Sequence, residues 1–214
     1  MKYGRNLILV AIVFAFVFVF ASFTHAEVKY VGEDKKTLGD WPGKYGKNGA
    51  MVFALADVKD MKDITKFDDA KNQRWNWANP TPDKRGAIYP TDLKSRAGSC
   101  LFNNPNTVLT LETKLKNYQI AVYAVDWDST ARSESFTGYQ GDTAPKVPDV
   151  TIKNPDFNAG MYEIWTVTGT DPFNLKIDFV SGANWVITGI FIDALGAAVD
   201  ANGKLATTWG DIKK

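Results

Sequence analysis

Asp126 and Asp128, separated by Trp127, form the clearest pair of carboxylates in the sequence. On an extended chain, residues two apart point to the same side and lie roughly 6–7 Å apart. Two such carboxylates could hold a structural Ca²⁺, with backbone carbonyls completing the shell, or serve a glycosidase as its two acids. A third interpretation is an acidic strand end that pairs with Arg132. An EF-hand calcium loop is not formed, since Ala131 stands where that loop requires glycine.

A second constellation is aromatic. Trp75 and Trp77 lie in the polar stretch 71–86, and in an extended segment both indoles share one face. Sugar rings present flat C–H surfaces that stack on indoles, and their hydroxyls need polar partners. We therefore predict a glycan-binding platform of these two tryptophans, with Asp83 and Arg85 as hydrogen-bonding partners. The alternative is that one or both indoles close the open end of a β-sandwich, since large indoles are rarely exposed without cause.

The chain has little of the chemistry that most enzyme sites require. Its single histidine, His25, precedes the predicted cleavage site described below, so no Ser-His-Asp or Cys-His constellation and no usual zinc site is expected in the mature chain. Cys100 is the only cysteine, which excludes an internal disulfide and is typical of a small buried apolar residue. The Gly-Lys pairs lack the following Ser or Thr of a phosphate-binding loop. These absences favour a non-catalytic protein.

The N-terminal segment predicts export. Lys2 and Arg5 precede an apolar run over 7–20, which is shorter than the roughly 20 residues needed to span a bilayer, and a small and polar stretch follows over 21–26. We predict that residues 1–26 are a signal peptide, so that the protein is secreted, periplasmic or on the cell surface, with no membrane span after cleavage. An uncleaved anchor is the alternative.

The charge of the chain excludes two classes of partner. The formal net charge is +1 and becomes slightly acidic once the leader is removed. Such a chain has no electrostatic footprint for nucleic acid and no polybasic patch for anionic lipid.

Hydrophobic periodicity predicts strands. Residues 107–115 and 173–180 alternate between apolar and polar side chains, as half-buried strands do, whereas 118–126 is apolar on both faces, as a central strand is. Five further candidate strands are rich in β-branched, aromatic or small residues: 50–56, 96–102, 132–139, 162–168 and 185–193. Gly189 inside the last one predicts a bulge or a close backbone approach. The pattern indicates one all-β, antiparallel β-sandwich domain over residues 27–194.

Two stretches do not fit this pattern. Residues 57–86 are long, polar and predicted to be a functional or flexible loop, in which Met61, Ile64 and Phe67 could form one face of a short helix. The tail, 195–214, predicts a short docked helix from three apolar residues at helical spacing: Leu205, Trp209 and Ile212.

Several segments together resemble a known family. They are 37–46 (TLGDWPGKYG), Trp77 followed by Asp83-Lys84-Arg85, 125–128 (VDWD) with Arg132, 160–162 (GMY) with Trp165, and 184–191 (NWVITGIF). They are similar to bacterial extracellular β-sandwich modules of the galactose-binding-like and carbohydrate-binding jelly-roll kind, which often accompany glycoside hydrolases. The resemblance runs from about residue 37 to 193, and it implies a jelly roll that binds a ligand rather than one defined ligand.

Three functions follow as hypotheses. The first is a secreted, non-catalytic module that binds a glycan or polysaccharide. The second is a structural or adhesive cell-surface subunit that binds protein through an exposed sheet edge, with 132–139 as the candidate strand. The third is a carbohydrate-active enzyme that uses two carboxylates facing each other across a cleft.

Overall fold

The computed structural model describes residues 26–153 and 155–196, which fold into β-strands joined by turns. No helix occurs in these residues, and accordingly none that is long and apolar enough to cross a membrane. The strands are β1 Glu27–Asp34, β2 Gly49–Val52, β3 Val58–Asp60, β4 Ile64–Asp68, β5 Gln73–Ala78, β6 Ala87–Ile88, β7 Arg96–Asn103, β8 Thr107–Thr113, β9 Asn117–Ala124, β10 Ser133–Gln140, β11 Val150–Lys153, β12 Met161–Thr168, β13 Phe173–Ser181, β14 Trp185–Ile187 and β15 Gly189–Ala194.

The strands form three packed sheets. The largest has the order β1-β12-β9-β15-β2-β3, the second β11-β10-β13-β8-β4, and the smallest β14-β7-β5, with β6 also pairing with β7. All pairings between these strands are antiparallel. The predicted class, an all-β antiparallel β-sandwich, is confirmed.

The middle of the six-stranded sheet is buried on both faces, which explains its central strand β9. Ile120 and Val122 face the main core between the sheets. Ala121 and Tyr123 alternate with them and face a second apolar cluster under the segment 37–48, which includes Trp41. A strand covered on both sides needs apolar residues at every position, so the prediction of a central strand at 118–126 is confirmed.

The alternating segments also lie as predicted. Leu109 and Leu111 in β8 are buried, and in the adjacent strand β13 so are Leu175 and Phe173, their partners in register. Their polar neighbours lie on the opposite face, which is partly exposed. The amphipathic period of two therefore predicted both strands and the faces that they bury.

Gly189 marks a change of sheet. The predicted single strand over 185–193 is divided into β14, in the four-stranded sheet, and β15, in the six-stranded sheet. A Cβ atom on Gly189 would lie 2.7 Å from the backbone oxygen of Met51, so only glycine fits this approach. The expectation of a close backbone approach is confirmed, and its consequence is that Asn184 and Trp185 are placed beside β7.

The predicted helix around residues 61–67 is wrong. Residues 57–86 contain β3, β4 and β5 rather than a long loop. The register of β4 against β8 shifts between Ile64 and Lys66, which is a β-bulge or irregularity. An extra residue in a strand reverses its alternation, so Ile64 and Phe67, three apart in sequence, both pack against the core. The bulge thereby imitates helical spacing.

The predicted exposed edge at 132–139 is also wrong. These residues form most of β10, which lies inside the five-stranded sheet between β11 and β13. Phe136 is fully buried, and a Cβ atom on Gly138 would lie 2.8 Å from the ring of Trp165. The strands at the ends of the sheets are β1, β3, β11, β4, β14 and β5.

Two predictions fall outside the described residues. The signal peptide covers 1–26, of which the structure describes Ala26 alone, and the docked helix with Leu205, Trp209 and Ile212 lies beyond residue 196. Among the described strands, the first begins at Glu27 and the last ends at Ala194.

Candidate functional site

Strand β5 places both tryptophans of the predicted platform on one groove. It is an end strand that pairs only with β7, with Trp75 opposite Cys100 in register. Arg74 and Asn76, which alternate with the tryptophans, bond elsewhere: Arg74 Nε donates to Asp57 Oδ1 at 2.9 Å, and Asn76 Oδ1 accepts from the Leu55 N–H at 3.0 Å. The polar residues of β5 thus anchor the strand, and its indoles are left to the groove.

The groove has a volume of about 200 Å³ and combines aromatic and polar walls. Trp75 is 53% exposed, whereas Trp77 is half-buried. The other lining residues come from β7, the loop after β9 and the start of β14: Cys100, Phe102, Asp128, Arg132, Asn184 and Val186. Residues far apart in the chain therefore converge on the predicted aromatic pair.

Arg132 organises the polar wall. Its Nη1 donates to Asp126 Oδ1 and, at 2.7 Å, to Asp128 Oδ1. Its Nε donates to Asn184 Oδ1 at 2.8 Å. Asp126 is fully buried and the Arg132 side chain is 6% exposed, so this is a shielded, hydrogen-bonded ion pair. The interpretation of Asp126 and Asp128 as partners of Arg132 is confirmed.

This ion pair bears directly on the predicted calcium site. Both carboxylates converge on one guanidinium nitrogen, so a cation held between Asp126 and Asp128 would lie against the positive charge of Arg132. In the part of the chain that the structure describes, no group of three or more His, Cys, Asp or Glu side chains is arranged to hold a metal. The donor set fits the ion pair and does not fit Ca²⁺.

Asp83 and Arg85 lie next to the groove rather than in it. Arg85 donates through Nε and Nη2 to Asp83 Oδ2, at 3.0 and 2.8 Å, and through Nη1 to the Asn158 backbone oxygen at 3.2 Å. Its Cζ lies 4.5 Å from the ring centroid of Trp127. Neither residue lines the groove that holds Trp75. The structure therefore gives the pair a bracing position behind the aromatic wall.

Trp127 does not line the groove but packs against Trp77, which does, and the sequence did not predict this role. Its indole stacks on Trp77 with ring centroids 6.3 Å apart and planes 7° apart. The indole also lies on β7 at Gly98, where a Cβ atom would come within 2.6 Å of the ring. Gly98 in an otherwise buried strand was the available signal, since a glycine inside a strand often marks a close approach by another group.

The electrostatics of the groove keep Asp128 charged. Burial alone would raise its pKa, but the hydrogen bond and the positive charge of Arg132 outweigh that effect and hold the pKa below its usual value. Asp128 is therefore a pure hydrogen-bond acceptor at neutral pH, and its side chain is 49% exposed. Arg132 also has a further donor: its hydrogen bonds to the described residues leave from N, Nε and Nη1, and none of them leaves from Nη2.

Burial acts in the same direction on two acidic groups, Cys100 in the lining of the groove and Glu134 next to Val186. Burial raises the pKa of the Cys100 thiol and raises that of Glu134 well above its usual value. Glu134 Oε2 accepts the Val186 N–H at 2.6 Å, and Oε1 has no hydrogen-bond partner among the described residues. In both groups burial disfavours the charged form.

A larger cavity, of about 460 Å³, lies beside the segment 41–47. Most of its charged groups are already paired: Lys44 with Asp34, Lys62 with Asp60, and the Asp193 carboxylate with backbone N–H groups of that segment. Its tryptophan is buried, with 4% of its surface exposed. The smaller groove has the exposed indole and the unused polar atoms, and it is the better candidate.

Comparison of the chain with models of known protein families, with curated proteins and with solved structures found no match in any of the three. The chemistry of the groove therefore carries the functional argument.

Proposed function

We propose that the protein is a non-catalytic carbohydrate-binding module that holds a glycan in the groove formed by β5, the loop after β9 and the start of β14. The observation that carries this proposal is the indole of Trp75, which is 53% exposed on an end strand beside an ordered polar wall. Leaving so large an apolar surface in water is unfavourable unless a ligand covers it. A sugar ring is a flat partner of suitable size.

The polar wall offers the complementary hydrogen bonds. Asp128 accepts from sugar hydroxyls, and Arg132 Nη2 donates to sugar oxygens. Because Asn184 Oδ1 accepts from Arg132 Nε, its amide nitrogen is directed elsewhere and is a second donor. The Arg132 ion pairs hold these groups in place before the ligand arrives, which reduces the entropy lost on binding.

The same ion pairs argue against carbohydrate hydrolysis at this place. A glycosidase needs two carboxyl groups on either side of the scissile bond, roughly 5–9.5 Å apart. Asp126 and Asp128 instead converge on one nitrogen of Arg132, and Asp126 is fully buried. Binding without catalysis is the function that these contacts support.

Export and family membership remain part of the proposal. The apolar leader supports a secreted, periplasmic or cell-surface location, and the resemblance to galactose-binding-like jelly rolls supports a finer classification within the β-sandwich class. Both agree with a module that meets polysaccharide outside the cytoplasm.

A glycan array on residues 27–214 tests the proposal, followed by titration calorimetry on each positive glycan. We expect Trp75→Ala to weaken binding by about tenfold or more, which corresponds to about 1.4 kcal/mol. The matched control is Val147→Ala, which removes a 75% exposed side chain that does not line the groove. A blank array with folded protein, or unchanged binding by the Trp75 variant, would refute the proposal.

A further inference from the structure

In the cluster that Arg132 forms with Asp126 and Asp128, the negatively charged side chains outnumber the positively charged ones. Arg132 is the only Lys or Arg among the described residues that line it. Asp126 and Asp128 both bond to Arg132 Nη1, so the cluster carries one positive and two negative charges. Glu134, which accepts the Val186 N–H, adds no positive charge to this cluster.

The excess negative charge faces the ligand. Asp126 is fully buried, whereas the Asp128 side chain is 49% exposed and lines the groove. A carboxylated sugar would meet this carboxylate first, and the only cation among the described residues that line the groove is already shared by two acids. Like charges at close range in a partly buried site repel each other, which is one way in which a site rejects a ligand.

A neutral sugar meets complementary groups instead. Its hydroxyls are both donors and acceptors, so one hydroxyl can donate to Asp128 while its neighbour accepts from Arg132 Nη2 or from the Asn184 amide. Arg132 bonds to both Asp128 and Asn184, at 2.7 and 2.8 Å, which places acceptor and donors side by side. Trp75 adds an uncharged stacking surface next to them.

From this arrangement we infer that the groove selects uncharged glycans with neighbouring free hydroxyls and rejects those built from uronic or other acidic sugars, with Asp128 as the selecting residue. This inference rests on the proposed function, since it assigns the ligand class of the same groove. On this inference, the groove is selective because one exposed carboxylate repels acidic sugars, and not because neutral sugars make an additional contact.

Matched oligosaccharide pairs that differ only in oxidation at C6 provide the test. The probes are gluco-, galacto- and manno-oligosaccharides and the corresponding oligouronates, titrated into residues 27–214 at low and at physiological salt. We expect each neutral oligosaccharide that binds to do so at least about tenfold more tightly than its acidic counterpart. Salt should narrow the gap, because it screens charge repulsion.

Asp128→Asn separates the selecting role from general binding. The variant removes the exposed charge and keeps a polar side chain, so we expect acidic probes to gain affinity relative to neutral ones. Asp142→Asn, an exposed acid that does not line the groove, is the matched control and should leave the ratio unchanged. Equal or tighter binding of oligouronates by the wild-type protein would overturn the inference and leave the proposed function intact. Binding of neither class would overturn both.

Discussion

Trp77 and Trp127 stack with their ring planes only 7° apart and their centroids 6.3 Å apart. The two residues lie on different elements, β5 and the loop after β9, so the stack joins the aromatic wall of the groove to its polar wall. Arg85 lies over Trp127, and the Cζ of Arg132 lies 5.9 Å from the centroid of Trp77. Geometry in the groove therefore depends on how closely Trp127 approaches β7.

Gly98→Ala tests that dependence. A Cβ atom at this position would lie 2.6–2.7 Å from three ring atoms of Trp127, so the indole must move. We expect a loss of about 1–3 kcal/mol in the free energy of unfolding, as overpacking usually produces, and a weaker circular-dichroism signal from the coupled Trp77 and Trp127 indoles. The control is Gly196→Ala, where a Cβ atom has no neighbour within 4 Å. An unchanged signal in the Gly98 variant would show that the stack tolerates the displacement.

Arg132→Met tests the buried ion pair. The variant leaves the fully buried Asp126 carboxylate without its guanidinium partner, and breaking a buried pair on one side costs about 3–5 kcal/mol. Urea unfolding at neutral pH measures the loss. Lys66→Met is the matched control, because it breaks an exposed ion pair with Glu112 that is worth about 1 kcal/mol or less.

The double variant Arg132→Met, Asp126→Asn then identifies the cause. Replacing the Asp126 carboxylate by a neutral amide should recover part of the lost stability, because it removes a buried charge. No recovery would mean that Arg132 stabilises the fold mainly through its packing and its bond to Asn184.

The strands that could be predicted from the sequence are those whose own pattern of apolar and polar residues indicates which of their faces are buried. The alternation of Leu109 and Leu111 in β8 reports one dry and one wet face, and the uninterrupted apolar run of β9 reports two dry faces. By contrast, the residues of β10 do not predict which strands lie beside it, because the pairing of β10 with its neighbours also depends on segments elsewhere in the chain. The irregularity after Ile64 likewise changes which side chains of β4 face the core, and the amino-acid composition of the strand does not predict it.

The candidate site shows the same division. Trp75 and Trp77 are two apart, so their shared groove followed from local geometry. Asp83 and Arg85 were equally close in sequence, yet they satisfy each other and brace Trp127, because a carboxylate and a guanidinium two residues apart can pair without leaving their own turn. Arg132 and Asn184 meet across 52 residues, and only the packed sheets bring them together.

Tyr30 and Glu163 link the end strand β1 to β12 and predict a pH dependence of stability. Tyr30 Oη donates to Glu163 Oε2 at 2.5 Å, and the carboxyl is fully buried. Burial raises the pKa of Glu163 to about 7 from its ordinary 4.5. The hydrogen bond from Tyr30 and the positive charge of Lys35 oppose this rise. The negative charge of Glu33, which lies directly opposite Glu163 in register, adds to it.

A carboxyl whose pKa is raised on folding binds its proton more tightly in the folded state. Its contribution to stability is therefore complete below about pH 4.5 and is lost as the pH rises through 7. At about 1.4 kcal/mol per pKa unit, Glu163 alone should lower the free energy of unfolding by about 3 kcal/mol between pH 4 and 8. Glu134 acts in the same direction, so the contribution of Glu163 must be isolated by substitution.

Glu163→Gln isolates it, because the amide is neutral at every pH and its oxygen can still accept from Tyr30. Urea unfolding at intervals between pH 4 and 8 should give similar stabilities for wild type and variant at pH 4, and a more stable variant at pH 8. Glu27→Gln, an exposed carboxyl on β1, should follow the wild-type curve throughout. Parallel curves for wild type and Glu163→Gln across this range would contradict the prediction. They would mean that the Glu163 carboxylate becomes hydrated when it ionises, because the end strand β1 moves enough to admit water.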